Sequence, residues 1–278
     1  MKAVRFAAYR EYEHSRTEAS NAMMALLAGA QLASHLLQLT EGSDRLLPEV
    51  YPRVPHIGRF NLTSVAARKI LDSADTHLGA MSVPYALAIH EDFLATCLTL
   101  LEQAGRLGTS TADNLKLAQQ HSAVELATGG RFGADSLSQL DVLRRMRNCT
   151  IHRGGRANGL LVTAVSTWSQ TAETGWTRLA GRSPRSLRVG DRVEFGHGEL
   201  VLALAVTKVL GREANGLLQP ALPRAQWADL VVDDLVSDDP HALASPTAQR
   251  RLRGLSRFHY QPLALTEFEL EAAATRRS

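Results

Sequence analysis

The feature that most limits what this chain can fold into is a succession of long segments with helical apolar spacing, opened by capping residues and closed by glycine. Residues 15 to 38 carry Met23, Leu26, Leu27, Ala30 and Leu37 with few breakers between them. A loop follows, "EGSDRLLPEVYPRVPHIGRF", punctuated by three prolines and two glycines. "NLTSVAARKILDSADTHLG" reads as a second helix, capped by Thr63 or Ser64 and closed by Gly79. "SVPYALAIHEDFLATCLTLLEQAG" gives the clearest pattern, with Ser82 as cap, Pro84 in the first turn, and Tyr85, Ile89, Phe93, Cys97 and Leu100 on one stripe. "TADNLKLAQQHSAVELATGG" and "GADSLSQLDVLRRMRNCTIHRGG" each end in a glycine pair. Residues 157 to 186 are less periodic, and "SLRVGDRVEFGHG" alternates as a short strand or hairpin around Gly190. "ELVLALAVTKVLGREANGLL" is again strongly helical, and short helices follow Pro220 and Pro223. The expectation is an all-α helical bundle over residues 1–222, with a short hairpin-like insertion and a small helical C-terminal appendage over 223–278.

Composition narrows the class further. The 278 residues are 45% hydrophobic, enough to bury a sizeable core. The most apolar run, "NAMMALLAGAQLASHLLQL", is interrupted by Asn21, Gln31, His35 and Gln38, so no membrane span is expected. The first residues show no apolar core with a cleavage site, and the two cysteines, Cys97 and Cys149, cannot build a disulfide framework. A cytoplasmic protein is expected. Four lysines leave 27 arginines among the 31 basic residues. Arginine suits phosphate recognition, but a GC-rich genome produces the same bias, so the count alone does not indicate nucleic acid.

Familiar catalytic signatures are missing. There is no phosphate-binding glycine loop, no H-E-x-x-H and no nucleophile elbow. Cys149-x-x-His152 is only half of a zinc site, so neither metal nor cofactor is expected. "DLVVDDLVSDD" holds five aspartates without calcium-loop glycine placement and reads as a solvated helix face. His14 and His90 read as surface or partly packed histidines.

One segment stands apart: "RRMRNCTIHRGG", residues 144 to 155. At helical spacing Asn148 and His152 share a face, with Arg144 one turn before Asn148. Arg147 is offset, yet its flexible stem can bring the guanidinium to the same edge. Met146, Cys149 and Ile151 are free to point elsewhere and bury. Gly154 and Gly155 let the backbone leave through a left-handed conformation. The pattern describes a cationic, titratable cluster at a helix terminus.

This Arg-polar-x-x-x-His arrangement resembles the signature of the HEPN domains (higher eukaryotes and prokaryotes nucleotide-binding). The motif-bearing core of the resemblance lies within residues 82–218. The helix "YALAIHEDFLATCLTLL" resembles the earlier helix of that family, with Glu91 and Phe93 in the places of its acidic and aromatic residues. Residues 1 to 80 and the tail carry no resemblance. What it implies is an all-α domain acting as a metal-independent endoribonuclease in a toxin or phage-defence setting. His152 would be the general acid/base, Arg147 the phosphate clamp and Asn148 the positioner, with Glu91 and Arg144 in support. Arg145, Arg153 and Arg156 would contact RNA. A homodimer would bring two motifs into one cleft, and an inhibitor or defence partner protein would restrain the activity. The alternative is a non-catalytic dimerisation or nucleotide/RNA-binding module.

Overall fold

The computed structural model describes residues 2–42, 45–109 and 111–277. The fold is all-α, and no strand occurs among the described residues. The helices are α1 (Ala7–Gln38), α2 (Leu47–Val50), α3 (Ser64–Asp72), α4 (Ala74–Gln103), α5 (Thr111–Asn114), α6 (Gln120–Thr128) and α7 (Ala134–His152), then α8 (Gly159–Ser166), α9 (Gln170–Ala180), α10 (His197–Ala221), α11 (Arg224–Asp238), α12 (Ala248–His259) and α13 (Glu267–Arg277). No helix of the described residues is long and apolar enough to cross a membrane. The chain forms two compact units that interleave in sequence. One contains Met1–Arg16, Leu87–Asp141 and Ala205–Ser278; the other contains Thr17–Ala86 and Val142–Leu204.

The first unit is organised around aromatic rings. Tyr12 stacks on Phe93 with centroids 4.5 Å apart, and Phe6 meets Trp227 edge-on at 5.6 Å. The Tyr12 hydroxyl donates to the Thr207 carbonyl at 2.6 Å. Its single proton is thereby committed, so the 3.0 Å contact with His90 requires Nδ1–H of His90 to donate to the phenol oxygen. His90 Nε2 lies 3.1 Å from His121 Nε2, a hydrogen bond between the two rings. Both histidines are buried, so His90 is a core residue where a surface or partly packed one was expected. Burial holds the Tyr12 phenol well above its ordinary pKa, which keeps it a neutral donor.

The aspartate-rich segment also differs from expectation. α11 is buried along Trp227, Ala228, Val231, Val232, Asp234 and Leu235. Asp234 accepts both guanidinium nitrogens of Arg10, at 2.9 and 3.0 Å, and the Tyr260 hydroxyl at 2.8 Å. Asp229 and Asp233 pair with Arg276 and Arg277 of α13. Asp234 is therefore a buried junction between helices, while Asp229 and Asp233 meet α13 at the solvated side and Asp238 is exposed.

In the second unit, Thr63 caps α3 by accepting the Ala66 N–H at 3.2 Å. The next helix begins at Ala74, so Ser82 and Pro84 lie inside α4, contrary to their expected place at a helix start. Pro84 forfeits one hydrogen bond to the preceding turn, but fully buried Val83 and Ala86 flank it and packing outweighs the loss. Gly79 does not close a helix either. A Cβ there would lie 2.6 Å from the Phe195 carbonyl oxygen, so glycine permits that close approach. Tyr85 is exposed, leaving the expected stripe of α4 at its N-terminal end. The expected hairpin around Gly190 is a loop. Its only ladder-like element among the described residues is an isolated antiparallel bridge between Arg156 and Arg192.

Gly211 of α10 sits under the Tyr12 ring, where an added Cβ would come 2.3 Å from Cε1. Gly211→Ala is expected to cost about 1–3 kcal/mol through overpacking. Gly216→Ala, where a Cβ meets nothing within 4 Å, should instead gain about 0.5–1 kcal/mol. Thermal melts of the two variants check this: opposite shifts in Tm are expected.

Candidate functional site at the end of α7

α7 splits its last turns between core and solvent. Leu143, Met146 and Cys149 are buried, while Asn148 and His152 are exposed and Arg147 is half-buried. The three-residue and four-residue repeats of the helix account for this division. Arg147 Nε donates to Asn148 Oδ1 at 3.3 Å, so the guanidinium is drawn towards the edge that carries His152 one turn later. Ile151 is exposed, in contrast to its expected burial.

The backbone after His152 is tightly held. The Arg153 and Gly155 N–H groups both donate to the Cys149 carbonyl at 3.0 Å, and Gly154 and Gly155 have φ of 59° and 75°. The chain leaving the helix is then clamped to residues 190–193. Val193 N–H donates to the Gly155 carbonyl at 2.7 Å, Ala157 N–H to Asp191 at 2.8 Å, and Gly190 N–H to Ala157 at 2.9 Å. Arg156 adds a guanidinium bond to the Gly190 carbonyl at 3.0 Å. The motif therefore sits on a braced helix end.

The electrostatic surroundings are cationic. Arg153, Arg156, Arg188 and Arg192 are exposed around the exit, with Asp191 the acid inside the clamp. The Asp191 carboxylate already accepts the Arg188 N–H at 2.8 Å. Arg192 lies in the glycine-rich stretch around Gly190, outside the motif-bearing helix. The hairpin-like alternation there was the available signal, since it foreshadows the bridge to Arg156. The two expected supporting residues are both buried. Arg144 is buried within α7, and Glu91 is buried in the part of α4 that belongs to the first unit. Arg145 is half-buried.

No group of three or more metal-ligating side chains exists among the described residues. Cys149 is fully buried while His152 is exposed, so the two diverge and share no ligand position. The hollow touching Met146 holds only about 70 Å³ and is bounded by Arg182, Arg192, Glu194 and Glu199. Arg182 is engaged there by buried Glu199 at 2.8 Å, which raises its pKa further. That volume is far below the roughly 300–1,000 Å³ of small-molecule pockets. Asn148 and His152 stand exposed on one edge of the helix end. Comparison with family models, curated proteins and solved structures yields no match for this chain.

The left-handed exit sets a direct stability test. Gly155→Ala is expected to destabilise the protein by about 1–2 kcal/mol, because φ of 75° is disfavoured for any residue with a Cβ. Denaturant unfolding at neutral pH measures it; an unchanged midpoint would mean the exit relaxes freely.

Proposed function

We propose that the chain is an endoribonuclease of the HEPN type that works without a metal. The observation that carries the reading is the pairing of Arg147 with Asn148 on the same solvent-facing helix edge as His152. Cleavage of RNA by its own 2′-hydroxyl needs a proton acceptor, positive charge at the developing phosphorane and a proton donor for the leaving 5′-oxygen. His152 is the acid/base group, since imidazole exchanges protons near neutral pH. Arg147 offers two hydrogen bonds to phosphate oxygens. Asn148 holds the guanidinium in place. Arg153, Arg156 and Arg192 supply further phosphate contacts. The products carry 2′,3′-cyclic phosphate and 5′-hydroxyl ends.

One helix end supplies one histidine, and a two-fold homodimer supplies the second. Exposed Ile151 and Leu160, at 57% and 67%, flank the motif and are available for such a contact. In this reading the activity belongs to a toxin or phage-defence setting and is restrained by a partner protein. The Arg147–Asn148 bond also suits a second reading, a non-catalytic RNA-binding or dimerisation module in which the pair only braces the helix end.

The two readings separate on one assay. RNA incubated with the protein in EDTA should be cut to cyclic-phosphate ends, and His152→Ala should slow this by roughly a hundredfold to ten-thousandfold. Binding without cleavage by the wild-type protein would establish the module instead. Light scattering should give a dimer mass, shifted towards monomer by Ile151→Arg. An unchanged mass distribution would place the contact elsewhere.

A further inference from the structure

The first unit carries a second cationic feature, built from different elements. Residues 2–6 form a non-helical segment pinned along α10 and the end of α12. Fully buried Asn215 accepts the Val4 N–H at 3.1 Å and donates to the Val4 carbonyl at 2.6 Å. Gln219 donates to the Lys2 carbonyl at 3.1 Å, and Arg5 N–H donates to the His259 carbonyl at 2.8 Å. These bonds hold the segment so that Lys2 and Arg5 line the same hollow as Lys208 and Arg212, which stand one turn apart on α10.

The hollow holds about 430 Å³, within the range of small-molecule sites. Two of the four lysines in the whole chain line it. Against four permanent cations its lining has one carboxylate, Glu13, which lies 3.5 Å from Arg5. His259 also lines it, and its Nδ1 is buried without a hydrogen-bond partner. Burial, with Arg10 and Arg5 nearby, holds that imidazole below its ordinary pKa and leaves it able to accept or donate. At the rim Phe258 is 75% exposed, an aromatic face available for stacking. Crowding like charges around a concave surface is unfavourable and is relieved by a multiply charged anion.

We propose that this hollow is a binding site for a small molecule carrying two or more linked phosphates. The four cations neutralise the phosphates, the His259 ring contributes a hydrogen bond through Nε2, and Phe258 contacts a ring when the ligand has one. The site shares no residue with the α7 edge, so the inference stands apart from the ribonuclease reading.

Calorimetric titration of the full chain with inorganic pyrophosphate, ADP and a short single-stranded RNA tests it. Pyrophosphate and ADP should each saturate at one site per chain, more weakly as salt rises. The exposed-residue variants Lys2→Glu and Lys208→Glu should each weaken both ligands by about tenfold or more, the loss expected for one charge-assisted contact. Phe258→Ala should weaken ADP and leave pyrophosphate unchanged. His152→Ala should alter none of these values. No saturation by pyrophosphate or ADP, or binding indifferent to both lysine variants, would overturn the proposal. RNA binding lost in the lysine variants while the small ligands fail to bind would also overturn it, by assigning the hollow to a polymer.

Discussion

The end of α7 has to bury one edge and expose the next within two turns, and the second unit is arranged to hold it at that compromise. Met146 and Cys149 anchor the helix, while Asn148 and His152 stay in solvent. A helix terminus leaves carbonyls without partners. Here the Cys149 carbonyl receives two N–H groups, and two left-handed glycines turn the chain into a backbone clamp with residues 190–193. Without that clamp the final turn would fray, and the Arg147 guanidinium and His152 imidazole would lose their common edge. Order in the loop and chemistry on the helix are thus one constraint.

The first unit depends on buried polar groups that are satisfied internally. Tyr12, His90 and His121 form a chain ending on a backbone carbonyl, and Asp234 gathers Arg10 and Tyr260. Unpaired, such groups would cost several kcal/mol each; paired, they fix which helix lies against which. Gly211 shows how closely this fits, since the Tyr12 ring occupies the space of its missing side chain. The same unit pins the non-helical segment before α1 with a buried asparagine, a use of polar burial that fixes position more than it adds stability.

Local spacing made the all-helical architecture legible, along with the Thr63 cap and the glycine stop after His152. It could not show where helices touch. Gly79 has the appearance of a terminator but is a contact point for the Phe195 backbone, and Pro84 looks like a first-turn residue but sits mid-helix between buried neighbours. Asp234 is indistinguishable in sequence from Asp233 beside it, because only the distant Arg10 and Tyr260 define its environment. Alternation around Gly190 suggested a strand or hairpin, but the segment is a loop whose single bridge is too little to make a strand. At the motif, spacing gave the shared edge of Asn148 and His152. The burial of Arg144, the exposure of Ile151 and the approach of the Arg192 backbone all needed the folded chain.

Both cationic features rest on positioned arginines and lysines, but they differ in form: one is an open helix edge, the other a concave hollow. That difference is the physical reason for assigning a polymer to the first and a small polyanion to the second. The central claim is that the α7 edge holds a scissile phosphate. A crystal structure with an RNA strand blocked by 2′-O-methyl groups tests it most directly. The account predicts a phosphate within hydrogen-bond reach of Arg147 and a blocked 2′-oxygen facing His152, with a partner copy closing the groove. RNA lying away from the α7 end, with Arg147 and His152 untouched, would contradict it.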